Sequence, residues 1–119
     1  MEAAVLEYRR ALGESRDSVT IMKKLSSVLT TMGRDEEALE HLERAKGISP
    51  DHPGIFTALG RTYLKLKRTK EAKDSFQEAI QINPFDPEAH VGLATVYETF
   101  GEKNSASKER EIIHKIIQR

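Results

Sequence analysis

The chain has 119 residues, enough for one domain, and its 19 basic and 19 acidic residues give a formal net charge of zero. That balance argues against a nucleic-acid-binding surface or an anionic-membrane surface, since both need an excess of basic residues. The chain contains no cysteine, which excludes disulfides, a thiolate nucleophile and cysteine metal sites.

Residues 1–18 are predicted to form a lone helix, the second helix of a partial repeat. Ala4, Tyr8 and Ala11 are spaced like an apolar stripe that recurs later in the chain. No partner helix precedes them, so we expect a piece of a longer array or a chain that begins with a capping helix. Asp17 or Ser18 is suited to cap the helix that follows.

Residues 19–52 form the first full unit of two predicted helices. Gly33 is placed to end the first helix as a C′ glycine. Asp35 is placed as the N-cap of the second helix, and Pro50 closes the unit. The first helix has its apolar stripe at Met22, Leu25, Leu29 and Met32.

Residues 53–86 repeat the same plan, with Pro53 in the first helical turn, Thr69 as N-cap of the second helix and Pro84 at the close. Lys67 stands at the turn where Gly33 and Gly101 stand in the neighbouring units. The apolar and small residues of the unit are Phe56, Leu59, Gly60, Tyr63, Ala72, Phe76 and Ala79.

Residues 87–119 form a third, atypical unit that begins at Pro87. Ala106 keeps the phase of its second helix, but Arg110 stands where Phe76 stood and Ile113 where Ala79 stood. Terminal repeats are expected to depart from the pattern in this way.

Equivalent positions recur every 34 residues, as in the series Leu25, Leu59, Leu93 and the series Ala38, Ala72, Ala106. Small residues such as Gly60 and Ala72 are needed where the two helices of a unit cross closely. The order of these residues along each unit and their 34-residue period resemble the tetratricopeptide repeat, with Phe56 in place of its usual tryptophan. The resemblance implies one all-α domain over 1–119, a right-handed superhelix of about seven antiparallel helices.

In tetratricopeptide repeats the first helices line a concave groove that holds peptides, and the resemblance carries this groove to the first helices here. Basic residues lie towards one end and acidic residues towards the other, so an acidic peptide group over Arg61 would fit. The groove residues are Lys23, Ser27, Thr30, Thr57, Arg61, Leu64, Lys65, Glu88, Val91, Thr95 and Glu98. Solvated helix surface is the alternative interpretation.

Some members of the family grip the acidic C-terminal tails of chaperones with a clamp of lysine, asparagine and arginine residues. Of the five clamp positions only Lys23 matches here, and Glu88 would repel the tail's carboxylates. We therefore predict that the chain does not bind chaperone tails.

Apolar residues at both ends suggest a second kind of surface. The last helix either folds back as a cap, or drives self-association, or docks on a neighbouring domain of a longer parent. The residues of this candidate self-association surface are Val5, Tyr8, Leu12, Ile112, Ile113, Ile116 and Ile117.

The leading functional prediction is a protein-interaction scaffold that binds a peptide or helix in its groove. The alternatives are a structural assembly unit that forms homo-oligomers and a regulatory appendage of an enzyme. The four histidines, His41, His52, His90 and His114, have no metal-ligand spacing, and no nucleophile is paired with a base. We therefore predict no enzyme activity and no cofactor. The zero net charge predicts no membrane or nucleic-acid partner, and the lack of cysteine favours a cytoplasmic location.

Overall fold

The computed structural model describes residues 1–52 and 54–118, which form seven α-helices joined by short turns. They are α1 (Glu2–Glu14), α2 (Val19–Thr31), α3 (Asp35–Ile48), α4 (Ile55–Lys65), α5 (Thr69–Ile82), α6 (Pro87–Thr99) and α7 (Lys103–Ile117). The predicted all-α architecture of seven helices is confirmed. Pro53, which we expected in the first turn of α4, lies outside the described residues.

Each helix packs on the next one along the chain, and the body measures 46 × 27 × 24 Å. In addition α2 contacts α4 and α4 contacts α6, whereas no such contact joins α3 to α5 among the described residues. The stack is therefore closer on the side of α2, α4 and α6, and it curves towards them. These three helices form the inner, concave layer.

The core contains the residues that recur every 34 positions. Leu25, Leu59 and Leu93 are buried, and Ala38, Ala72 and Ala106 are at most 1% exposed. The Ser26 hydroxyl donates to the carbonyl oxygen of Met22 within α2 at 2.7 Å. The crossing of α2 and α3 is close enough for the same hydroxyl to lie 3.2 Å from the carbonyl oxygen of Ala38.

The ring of Phe76 on α5 fills the space left by two glycines. A Cβ atom added to Gly60 on α4 would lie 2.5 Å from the ring, and one added to Gly92 on α6 would lie 2.3 Å from it. Since Phe76 itself is 0% exposed, the small residues allow one aromatic side chain to join three helices.

The turns between the helices of a unit share one conformation. Gly33, Lys67 and Gly101 have φ angles of 80°, 63° and 78°, and the next residue's N–H reaches back to the preceding helix in each case. The acceptors are the carbonyl oxygens of Leu29, Tyr63 and Tyr97, at 2.8 Å. This is a Schellman arrangement, and the predicted role of Gly33 as a C′ glycine is confirmed.

The structure corrects two of the predicted N-caps. Helices α3 and α5 begin at Asp35 and Thr69 themselves, and Arg34 and Arg68 occupy the cap positions. The Schellman bond holds each arginine against the preceding helix, so the turn is one residue shorter than we expected. Ser18 does cap α2, because its hydroxyl accepts a hydrogen bond from the N–H of Ile21.

The lone first helix is also less open than predicted. Val5 is 1% and Leu12 is 8% exposed, and Tyr8 is half-buried against the same core. Helix α1 uses this face to pack on α2, so Val5 and Leu12 are removed from the candidate self-association surface.

Candidate functional site

A cavity of about 490 Å³ opens on the concave layer between α2 and α4. We call it the basic cavity, because Lys23, Lys24, Arg61 and Lys65 line it and no acidic residue does among the described residues. Hydroxyl groups occupy much of the remaining wall. The other lining residues are Thr20, Ser26, Ser27, Thr30, Thr31, Leu42, His52, Ala58 and Thr62.

Two of the four cations of the basic cavity, Lys65 and Lys23, contact uncharged groups. The Lys65 ammonium donates a hydrogen bond to the carbonyl oxygen of Thr30 at 3.1 Å, and the side chain of Lys23 packs against Gly54. Arg61 pairs with Glu88 at 3.5 Å, with both side chains more than half exposed. An exposed pair of this kind is weak, so Arg61 can exchange Glu88 for another carboxylate.

A second depression, of about 390 Å³, crosses α6. Gly92 has no side chain to fill it, and Phe76 forms part of its wall. Arg61 and Leu64 lie on the α4 side, and Ile113 and Ile117 lie on the α7 side. Pro87, Glu88, Val91 and Thr95 complete the lining. Because Arg61 lines both spaces, the basic cavity and this depression meet at that residue.

The structure brings nine of the eleven predicted groove residues to the walls of these two spaces. The exceptions have partners elsewhere. Thr57 is 3% exposed, and its hydroxyl donates to the Asp86 carboxylate at 2.7 Å. Glu98 forms an ion pair with Arg110 of α7 and lines neither space.

Sequence reasoning missed Lys24, Thr20 and Thr31, which also line the basic cavity. They flank the predicted residues on α2, and their polar character next to Lys23 and Thr30 was the available signal. The prediction assigns about one residue per turn of α2 to the groove, whereas α2 lines the cavity over a wider arc.

The residues of α7 divide between several environments. Ile113 and Ile116 are half-buried, whereas Ile112 is 38% and Ile117 is 69% exposed. Glu109 of α7 does not face solvent. Its carboxylate accepts a hydrogen bond from the imidazole Nδ1 of His90 at 2.6 Å and is largely buried.

His90 is 4% exposed, and its Nε2 lies 2.8 Å from the carbonyl oxygen of Pro84. Both ring nitrogens are thus engaged in joining α6 to α7 and to the preceding turn. Within residues 1–52 and 54–118 no group of three or more histidine or acidic side chains is arranged to hold a metal ion. None of the described helices combines the length and the apolar character needed to cross a membrane.

Solved structures of similar fold include several of the protein MamA. "Crystal structure of MamA" is 23% identical, with a TM-score of 0.87 over 94% of this chain. The "MamA RS-1 ArsTM double mutant" is 16% identical, with a TM-score of 0.89 over 98%. This chain spans 66% of the length of each of these two structures. At such identities the likeness concerns the fold alone.

No curated protein sequence matches the chain. The family model described as "Tetratricopeptide repeat" matches residues 24–52 and 53–86, which together make up more than half of the sequence. These two segments contain the lining residues of the basic cavity from Lys24 to Lys65, together with Phe76 and its glycine contact on α4. The chain therefore belongs to the tetratricopeptide repeat family.

Proposed function

We propose that this protein is an interaction module that binds an extended acidic peptide of a partner protein on its concave layer. The observation that carries the proposal is the basic cavity, where four cationic side chains surround one space and none of the described lining residues is acidic. Membership of a family of protein-interaction scaffolds supports the proposal. We also propose that residues 1–119 act as one domain with repeats at 19–52, 53–86 and 87–119.

The electrostatics of the basic cavity support an acidic ligand. A carboxylate placed between Arg61 and Lys65 would gain charge-assisted hydrogen bonds, while Thr30 and Ser27 can bind the peptide backbone. Glu88, the carboxylate that pairs with Arg61, lines the second depression rather than the basic cavity. We still predict that chaperone tails do not bind. The basis is that four of the five clamp positions contain Ser27, Ala58, Glu88 and Gly92.

Selection of random peptides on the immobilised chain tests the proposal. We expect the selected peptides to carry clustered Asp or Glu residues and to lose affinity as salt rises, since exposed charges are screened. Arg61→Glu and Lys65→Glu are each expected to weaken binding at least about tenfold. The matched control is Lys108→Glu on α7. Selected peptides without acidic residues, or equal binding to Lys65→Glu, would contradict the proposal.

Self-association is a second candidate function, and the exposed side chains of Ile112 and Ile117 favour it. The part of the candidate self-association surface on α1 is reduced, because Val5 and Leu12 lie in the core. Light scattering over a concentration series tests it. A dimer or larger species that Ile117→Asp dissociates, while Arg61→Glu leaves it intact, would support assembly; a monomer at all concentrations would reject it.

A further inference from the structure

Two successive steps of the inner layer use equivalent positions but differ in charge. In the step from α4 to α6, the beginning of α6 supplies two carboxylates. That of Asp86 accepts a hydrogen bond from the Thr57 hydroxyl at 2.7 Å, and that of Glu88 pairs with Arg61 at 3.5 Å. Asp86 is the N-cap residue of α6, and Glu88 lies in its first turn. This step therefore provides negative charge from within the chain.

The step from α2 to α4, which contains the basic cavity, has neither carboxylate. His52 stands 34 positions before Asp86, and Gly54 stands 34 positions before Glu88. On the facing helix, the ammonium of Lys23 lies against Gly54. A cation is thus present where two carboxylates are missing, so the balancing anion is one that a ligand can supply.

The charges inside the basic cavity lead to the same conclusion. Among residues 1–52 and 54–118, Arg61 is the one cation of the four with an ion pair, and its partner Glu88 lines the second depression instead. Lys65 donates to a backbone carbonyl oxygen, while Lys23 and Lys24 form no ion pair with a described residue. A ligand with a single carboxylate would neutralise one of these cations only.

We propose that the basic cavity binds a phosphorylated side chain of the partner peptide, an inference that rests on the proposed function and names the group recognised. A phosphoryl group on a side chain carries about −1.5 to −2 charges at pH 7 and three acceptor oxygens. The forked guanidinium of Arg61 on α4 can bind two of these oxygens together. Lys23 and Lys24 on α2 are then placed to bind the remaining oxygen from the opposite wall.

Neutral donors in the wall of the cavity suit the same group. The hydroxyls of Thr20, Ser27 and Thr30 form no hydrogen bond among the described residues. The Thr31 hydroxyl, by contrast, already donates to the backbone carbonyl oxygen of Ser27. Since a hydroxyl is a donor as well as an acceptor, three such groups are available to the phosphoryl oxygens and to the backbone of the peptide.

Four pools of short peptides test the inference. Their flanking positions are random but exclude acidic residues, and the centre holds phosphoserine, glutamate, two successive glutamates or serine. Each pool carries a fluorescent label, and anisotropy gives its average affinity for the chain. The cavity variant combines Lys23→Gln with Lys24→Gln. The matched control combines Lys108→Gln with Lys115→Gln, which removes the same charge from two exposed residues of α7.

The phosphoserine pool should bind at least about tenfold more tightly than the glutamate pool, and the two-glutamate pool should fall between them. The cavity variant should abolish most of this ratio while it still binds the glutamate pool through Arg61 and Lys65. The matched control should leave the ratio unchanged. Circular dichroism melts establish that both variants fold.

The failure of this inference can be told apart from failure of the proposed function. If the glutamate pool binds better than the serine pool and the phosphoserine pool binds no better than either glutamate pool, the inference is overturned and the proposed function stands. If no charged pool binds better than the serine pool, both are overturned. An unchanged ratio in the cavity variant would place the phosphoryl group elsewhere and also overturn the inference.

Inorganic phosphate and vesicles containing phosphatidic acid distinguish a phosphorylated peptide from other sources of the same group. Free phosphate should compete at least about tenfold more weakly than the unlabelled phosphoserine pool, because it has no peptide backbone to bind. The vesicles should not sediment the chain. Free phosphate that competes as well as the pool, or a chain that sediments with the vesicles and does not bind the pool, would overturn the inference.

Discussion

At the scale of single residues, Lys67 is the one described residue other than glycine with a positive φ angle, at 63°. Its N–H bonds to Leu64 and the N–H of Arg68 bonds to Tyr63, the same pattern as at Gly33. A side chain in this conformation is strained by contact between its Cβ atom and the backbone. The turn is therefore held by the hydrogen bonds and by packing of α4 on α5.

Lys67→Gly should relieve this strain and stabilise the fold by about 1 kcal/mol. Urea denaturation monitored by circular dichroism measures the change. Lys108→Gly is the control, since this exposed residue lies within α7 and should lose about 1 kcal/mol on replacement by glycine. A Lys67→Gly variant less stable than the parent would show that the turn does not need glycine-like freedom.

At the glycines that contact Phe76 we expect glycine to be required, so that its replacement destabilises the fold. Gly92→Ala should cost about 1–3 kcal/mol, because its new methyl group would overlap the Phe76 ring and overpacking outweighs the better helix propensity of alanine. Gly47→Ala on α3 should gain about 0.5–1 kcal/mol, since nothing lies within 4 Å of its Cβ position.

Thermal melts of the Gly92→Ala and Gly47→Ala variants decide between these signs. Adding Phe76→Leu to Gly92→Ala should recover part of the loss if the ring is the obstacle. A Gly92→Ala melt equal to that of Gly47→Ala would mean that α6 shifts freely away from α5.

At the scale of elements, α3 and α4 are joined by a hydrogen bond from the Tyr63 hydroxyl to the Glu43 carboxylate. Burial and the bond to Glu43 raise the pKa of Tyr63 to about 12 from its ordinary value of 10. Burial alone would raise the pKa of Glu43, but hydrogen bonds from Tyr63 and Lys46 outweigh it and lower the pKa of that carboxyl. Each group thus holds the protonation state that the bond requires.

The sign of the pH effect follows from the raised Tyr63 pKa. The protonated phenol is favoured in the folded state, so its contribution to stability is complete below pH 10 and is lost as the pH rises towards about 12. Tyr63→Phe should lower stability at neutral pH and remove this part of the alkaline loss. Urea midpoints of both proteins between pH 9 and about 11.5 test it; parallel pH profiles would reject the assignment.

At the scale of the whole molecule, the hydrophobic core runs along the stack from Val5 in α1 to Val96 in α6, and among the described residues α1 and α7 each pack on one neighbouring helix. Helix α4 has seven buried residues, whereas Ala106 is the single buried residue among those described in α7. In a repeat protein stability is approximately the sum of each repeat and its neighbouring interfaces. The middle of the chain should therefore be the most stable part.

Amide hydrogen exchange should show the slowest rates in α4 and α5 and faster rates in α1 and α7. Mass spectrometry of peptide fragments gives the rates by helix. Gly92→Ala should speed exchange in α5 and α6 more than in α1, because the ring of Phe76 joins these two helices. Uniform rates over all helices would indicate a single cooperative unit rather than a graded stack.

Several features of this molecule follow from the sequence alone. The 34-residue recurrence of Leu25, Leu59 and Leu93 and of the small residues predicts the seven helices, because a fixed period of apolar positions leaves few ways to bury them. The same register placed Lys23, Arg61 and Lys65 on the inner layer, and they line the basic cavity. Periodicity is a local property, which a sequence displays directly.

Other features depend on distances between helices and were decided only by the tertiary structure. Thr57 was predicted to line the groove, but in the structure its hydroxyl bonds to Asp86, the N-cap residue of α6. Val5 and Leu12 were predicted to lie on an open surface, but the packing of α1 on α2 buries them. In each case the angle at which one helix crosses the next decides which side chains are covered, and a one-dimensional pattern contains no crossing angles.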